Sequence, residues 1–248
     1  MKHQLIRIIG LLLFAVGATP CQGDSPKSLI IGVQEFSYYP HYDIKGEEFV
    51  GYSRDLLDAF AATQHYLITY KTMPYRRLVQ QFLAGKVDLQ YPDNSYWLSN
   101  LKSDYVIIYS QPAVSYIDGA HVLAENYGKG IDAIQSLGTL IGFSPIQYFP
   151  LEQEGKLSIS YAATVPGLVK QVHRKRLDAV YLNVDVVKHQ ERDTAKALVF
   201  DGSLPFIKSG YTMSTIQHPE VIEDFNQFLV THKKTVDAIK RKYGLSLD

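Results

Sequence analysis

At 248 residues, with 25 basic and 25 acidic side chains, the chain is electrically balanced, which argues against a nucleic-acid partner. Its single cysteine, Cys21, excludes an internal disulfide, so the fold must rest on its hydrophobic core. Tyrosine is the unusual count, at 18, with many copies outside any apolar period.

Lys2 and Arg7 precede the apolar run Ile8–Val16, and the small residues Gly17 and Ala18 come directly after it. A charged start, a short apolar stretch and a small-residue cleavage site predict a secretory signal peptide over residues 1–18 and a periplasmic mature protein. The run is too short to span the ~30 Å of bilayer hydrocarbon. Cys21 lies where a lipid anchor would be attached, but Pro20 departs from the small residue expected before it. The remaining residues suffice for one large domain or two lobes of ~100 residues each.

Leu29–Val33 is an unbroken apolar run, as in a strand buried on both faces, and opens into the aromatic loop Phe36-Ser37-Tyr38-Tyr39-Pro40-His41-Tyr42. Lys45–Glu48 reads as a hairpin tip. Ser53 is placed to cap a helix whose inner stripe is Leu56, Leu57, Phe60 and Ala61. A strand over 66–70 leads to a second helix, with Leu78, Val79, Phe82 and Leu83 inward, which Gly85 ends. The next strand, Val87–Tyr91, runs into the polar cluster Tyr91-Pro92-Asp93-Asn94 and a loop holding Trp97, the only tryptophan. A strand over 105–109 comes next, then a strand-like crossing from Ala113 to Ala124.

Beyond the crossing, a turn at 126–130 leads to a short helix ending at Leu137. A strand over 139–143 precedes a helix opened by Ser144 and Pro145, and 157–161 alternates as a strand. A helix over 165–176, strands over 178–182 and 197–200, a return near 204–206, a strand over 211–214 and helical sequence over 219–244 complete the pattern. Asp178 lies 90 positions beyond Asp88, and each comes after a helix and turn and opens a strand. Strands alternating with helices, with this echo, predict an α/β fold of two similar lobes. The expected partition is 27–112 plus 206–248 as lobe one and 113–205 as an inserted lobe two, joined by a two-segment hinge.

The segments L-I-I-G-V…Y-Y-P (29–40), F-V-G-Y-S-R-D-L (49–56), L-A-G-K-V-D (83–88), Y-S-Q-P (109–112), L-I-G-F-S (140–144), R-L-D-A-V (176–180) and the terminal E-V-I-E-D-F-N-Q-F-L helix carry a resemblance. In order and spacing the chain resembles extracellular solute-binding protein family 3, the periplasmic amino-acid-binding components of ABC importers. The resemblance covers nearly all of the mature chain and implies a type II periplasmic binding protein that closes on its ligand. Members that bind α-amino acids usually carry Thr-x-x-Arg after the strand equivalent to 87–91; here the region reads Trp97-Leu98-Ser99-Asn100-Leu101-Lys102. They also usually carry an Asp after the second Val-Asp strand, where this chain has Asn183. Missing charge-assisted anchors, worth ~1.5–3 kcal/mol each, argue against an ordinary α-amino acid.

As candidate ligand residues, the resemblance makes Phe36, Tyr38 and Tyr39 an aromatic wall and Tyr75 a cleft-facing ring, with loop packing as the alternative. Arg76 is a replacement cation for a carboxylate. Tyr91, Asp93 and Asn94 sit at a sheet's carboxyl end, where ligands of open α/β sheets bind, although turn-capping would also suit them. Trp97 is placed to lid the cleft or pack beside it. Ser144, Gln147 and Tyr148 begin a helix whose free N–H groups can hold an anion. Asn183 and Asp185 close the set, Asp185 or Asp93 offering a replacement anion.

The nucleophile-elbow pattern at Gly142–Ile146 lacks its second Gly, the dinucleotide pattern at Gly128–Ala133 is a lone and therefore weak match, and the eight histidines have no metal-ligand spacing. No enzyme activity, cofactor or metal is expected. The reading is a monomeric periplasmic protein that captures a small polar, amino-acid-like molecule for a membrane permease. The alternatives are signalling to a membrane sensor, and a cationic amine as ligand, held by the tyrosines and a carboxylate.

Overall fold

The computed structural model describes residues 26–246. The signal-peptide expectation and Cys21 lie outside the described residues.

The first lobe begins with β1 (Ser28–Gln34), the hairpin β2 (Asp43–Lys45) and β3 (Glu48–Val50), α1 (Tyr52–Gln64), β4 (Leu67–Met73), α2 (Tyr75–Leu83) and β5 (Leu89–Asp93). A short α3 (Ser99–Lys102) and β6 (Ile108–Tyr109) lead to the long strand β7 (Val114–Val122). The second lobe continues with β8 (Ser136–Leu140), α4 (Phe149–Gln153), β9 (Ser158–Ala162), α5 (Val165–His173), β10 (Ala179–Asn183), α6 (Val184–Gln190) and β11 (Val199–Phe200). Then β12 (Phe206–Thr215) returns the chain, and α7 (Pro219–Thr231) and α8 (Lys233–Lys242) complete it.

The main sheet runs β4-β1-β5-β12-β7-β10-β8-β9. β1 is parallel to β4 and β5, and β8 is parallel to β9 and β10, so each lobe contains one βαβαβ unit with its first strand in the middle. The central strands β12 and β7 run antiparallel to each other and to their outer neighbours. The echo at Asp88 and Asp178 has a structural cause. Asp88 accepts a hydrogen bond from Ile30 N at the start of β1 (2.7 Å), and Asp178 accepts from Ser136 N at the start of β8 (2.9 Å). Each carboxylate pins the turn before its own strand to the head of the central one.

Gly32 and Gly138 form a second echo. A Cβ on Gly32 would lie 2.2 Å from Leu78, and one on Gly138 would lie 2.5 Å from Leu177 and 2.8 Å from Leu168. A side chain at either position would have to displace these leucines. One hydrophobic core continues across both lobes, from Leu56, Phe60 and Phe225 to Leu168, Val172 and Val186.

Several expectations need correction. Ser53 does not cap α1: Gly51 takes that position at φ 106°, and Ser53 is buried in the first turn. A Cβ on Gly51 would meet the Tyr42 backbone at 2.9 Å, so glycine alone fits. No helix ends at Leu137; a 3₁₀ turn at Ile131–Ala133 gives way to β8, three residues before the expected strand. Ser144 and Pro145 precede another 3₁₀ turn, and α4 carries Pro150 near its start. The C-terminal helical stretch divides at His232 into α7 and α8.

Candidate functional site

The loop between β1 and β2 crosses from the first lobe to the second. The Tyr38 hydroxyl accepts a hydrogen bond from Asn183 N (3.0 Å), and His41 Nε2 lies 3.2 Å from Asn183 Oδ1. Asn183 thereby joins the lobes while its side chain caps α6, accepting from Asp185 N and Val186 N. Phe143 of the second lobe meets Phe36 and Tyr38 edge-on, at 5.9 and 5.4 Å between centroids. The two lobes are therefore in direct contact.

Around this junction the aromatic side chains form one connected set. Tyr116 and Tyr211, on the adjacent strands β7 and β12, stack at 4.5 Å. Trp97 lies 6.3 Å from Tyr116 and 5.7 Å from Tyr211, and Tyr75 meets Trp97 at 5.9 Å. On the other flank His41 meets Tyr211 at 5.0 Å, and Tyr38, Tyr42 and Phe36 contact one another.

Asp118 sits at the centre, two residues beyond Tyr116 on β7 and opposite Asn183 in the ladder. Its Oδ1 is shut off from solvent and has no hydrogen-bond partner, while the residue as a whole keeps partial exposure. Burial pushes its carboxyl up to about 7, opposed only by the neighbouring Asn183 amide. Its charge in turn helps raise Tyr38, Tyr42, Tyr116, Tyr181 and Tyr211 above the ordinary phenol range, on top of their own burial. An unpaired carboxylate in such surroundings is costly unless something offsets it.

Asp93 is different. Buried beneath Tyr75, its Oδ1 accepts from Lys102 Nζ (2.6 Å), from Asn94 N and, at 3.4 Å, from the Tyr75 hydroxyl, while Oδ2 accepts from Ser214 (2.6 Å). Burial raises its carboxyl against the pull of Lys102. Its hydrogen-bonding capacity is spent inside the protein. Asn94 likewise serves the fold, donating to Ser209 Oγ and Gly210 O and receiving Tyr96 N.

Among the sequence candidates, the structure brings Phe36, Tyr38, Trp97 and Asn183 together, with Tyr75 at the edge. Tyr39, next to Tyr38, turns outward against His189 (4.3 Å) and lines an open groove of about 580 Å³ with Lys45, Pro166 and Arg192. Arg76 is exposed and joins none of these contacts. Tyr91 is buried against Phe225 of α7. Asp185 is half-buried, 3.7 Å from His41, and its carboxyl is raised by burial. Ser144 is exposed, and Tyr148 packs against Tyr181 and donates to Pro205 O. With α4 only five residues long and preceded by a 3₁₀ turn, no free helix start presents N–H groups to an anion.

Sequence reasoning missed Asp118, His41, Tyr116 and Tyr211. One signal was present: Asp118 is the only acid in the otherwise uncharged strand Val114–Val122. An ionisable group within a buried strand marks a functional candidate. His41, wholly buried, is held down to about 4 and is neutral, its Nδ1 without a partner. Among the described residues no cluster of His, Cys, Asp and Glu is suited to a metal, and no helix is long and apolar enough to cross a membrane.

Two α/β lobes linked by a pair of antiparallel strands, with polar and aromatic side chains gathered at the junction, define the type II periplasmic binding protein fold. Solved structures agree. A mutant of ArgBP from T. maritima superposes with a TM-score of 0.67 at 16% identity, covering 88% of this chain and 95% of that one. The second substrate-binding domain of Lactococcus lactis GlnP, in an open conformation, gives 0.62 at 18% identity, covering 91% and 98%. A histidine kinase sensor domain similar to periplasmic binding proteins gives 0.68 at 15% identity, covering 89% and 97%. No family model matches the chain, and no curated protein matches it in sequence.

Proposed function

We propose that the protein is a periplasmic solute-binding protein that takes a small polar, amino-acid-like molecule between two closing lobes, residues 27–112 plus 206–248 and 113–205. The observation that carries this reading is the lobe junction itself. Tyr38 and His41 of the first lobe meet Asn183 of the second beside a connected set of aromatic side chains. Polar groups converging on an aromatic enclosure between domains are the usual make-up of a small-molecule site. A ligand that touches both lobes stabilises the state in which they meet, because only there are all its contacts formed.

Once the lobes close, the first reading is delivery of the ligand to an ABC permease. The second is presentation of the closed form to a membrane sensor, favoured by the likeness to a histidine kinase sensor domain. Trp97, the only tryptophan, lies within the aromatic set, so its emission reports directly on the junction. Titrating the mature protein with amino acids, amines, organic acids and short peptides should give a saturable change in Trp97 emission for one class. The same compound at 100 times its Kd should add ~2.7 kcal/mol of stability. A flat response across all classes refutes ligand capture.

A further inference from the structure

We propose that Asp118 is the anchor of the ligand site, and that it selects a small organic cation bearing at least one N–H, such as a primary or secondary amine, rather than a zwitterionic amino acid. This rests on ligand capture between the lobes and names the chemical class captured.

Three independent features of the junction point this way. The first is the orphan acceptor. Asp118 Oδ1 is cut off from solvent and makes no hydrogen bond, with the Asn183 amide as its neighbouring donor, and among the described residues Asp118 forms no ion pair. A buried carboxylate oxygen without a hydrogen bond calls for a donor from outside. The second is the surround. Tyr38, Tyr42, Tyr116, Tyr181 and Tyr211 come from the β1–β2 loop, β7, β10 and β12, and all lie within the electrostatic reach of Asp118. Aromatic faces attract cations, more strongly when water is excluded.

The third is the fate of the other charges. Lys102, the buried lysine at this end of the junction, is engaged by Asp93 at 2.6 Å, and Arg76 is exposed. His41 is neutral at physiological pH. A zwitterion would bring a carboxylate that none of these three side chains is placed to receive, whereas an amine needs only the anion that is present. The orphan Oδ1 favours a cation that donates a hydrogen bond, because a quaternary ammonium leaves that oxygen unpaired.

Asp118 also gives the binding a pH signature. The groups facing it are the five tyrosines, which do not ionise near neutrality, and the Asn183 amide; His41, beyond them, has already lost its proton above about 4. With the Asp118 carboxyl at about 7, its ionised fraction rises about tenfold from pH 6 to pH 8, while an alkylamine stays protonated throughout.

The test is calorimetric and fluorescence titration of the mature wild-type protein and of Asp118→Asn. The probes are propylamine and phenethylamine as monoamines, choline as a cation without N–H, glycine, glutamine and arginine as amino acids, and propionate as an anion. The expected result is binding of a monoamine that tightens about tenfold from pH 6 to pH 8, releases protons near pH 7 and weakens at least 30-fold in Asp118→Asn. Choline should bind more weakly than the monoamines. If Asp118→Asn does not fold, the pH dependence and proton release of the wild type decide the matter. An amino acid or propionate that binds equally well to both proteins, without pH dependence, overturns the anchor and leaves ligand capture standing. Choline binding as tightly as the monoamines overturns the N–H requirement. Silence from every probe counts against capture and anchor together.

Discussion

Replacing Asp118 by Asn should make the ligand-free protein more stable at pH 8, by a margin that shrinks to nothing as the pH falls towards 5. Burial moves the carboxyl from 3.8 to about 7. At about 1.4 kcal/mol per tenfold change in proton affinity, the ionised group costs the folded state up to about 4 kcal/mol above pH 8. The sign comes from proton counting. Between 3.8 and 7 the folded protein holds a proton that the unfolded chain has released, so stability falls as the pH climbs through that window. An Asn of the same shape removes the ionisation cost but brings an amide that needs partners, so about half the ceiling, ~2 kcal/mol, is the expected gain at pH 8. For a chain of this size that is ~4–8 °C in melting temperature. The assay is thermal unfolding of both proteins from pH 5 to pH 8, read as the gap between them, which cancels the contributions of the histidines. The gap should widen by about 2.5 kcal/mol over that range. A constant gap, or a variant less stable than the wild type at pH 8, would show that Asp118 already has a partner.

Lys102→Met strands the buried Asp93 carboxylate and should cost about 3–5 kcal/mol by denaturant unfolding; a loss below about 1 kcal/mol would mean that Ser214 and the Asn94 N–H suffice. Tyr38→Phe removes the acceptor of Asn183 N, a bond across the lobes worth about 1–3 kcal/mol when its donor stays buried. Small-angle scattering should then show a larger radius of gyration for the ligand-free variant, and an unchanged radius would remove that bond from lobe contact. Arg76→Ala should leave ligand affinity within twofold by titration, because the side chain is exposed and away from the junction; a tenfold loss would restore it as an anchor. His41 and His121 are both held at about 4 by burial, so the unfolded chain takes up their protons first as the pH falls below 6.5. Each should cost about 3 kcal/mol of stability by pH 4, and His41→Gln with His121→Gln should flatten that acid limb in pH-dependent unfolding.

Local pattern revealed much of the fold. β1 and β10 are short, mainly apolar runs because parallel strands under helices are buried on both faces, a composition visible without any partner. The inner stripe of α1 was legible for the same reason. α6 escaped notice because Val184-Asp185-Val186-Val187 is rich in β-branched residues, and only the Asn183 cap and the packing of Val186 and Val187 make it helical. The site was harder to read. Tyr38 and Tyr39 are neighbours in sequence, yet one is sealed in the junction and the other faces an outer groove. Tyr116 and Tyr211 meet because β7 and β12, almost a hundred residues apart, lie side by side. No local period encodes that pairing, and Asp118 acquires its meaning only from it.

That pairing also brings together the two ends of most of the second lobe. Gly119 and Phe206 are partners in the β7–β12 ladder, so the stretch between them begins and ends at almost the same point in space. The intervening stretch, 120–205, is attached like a cassette at two adjacent ports. A homologous stretch grafted at these ports has to match the β7–β10 ladder and the contacts of Phe143 and Asn183 with the β1–β2 loop, while β1, β4 and β5 keep their own helices. Asn183 and Tyr181 would travel with the cassette, whereas Asp118, Tyr116 and Tyr211 would stay behind. Exchanging the cassette would therefore retune one wall of the junction while leaving its charged centre in place.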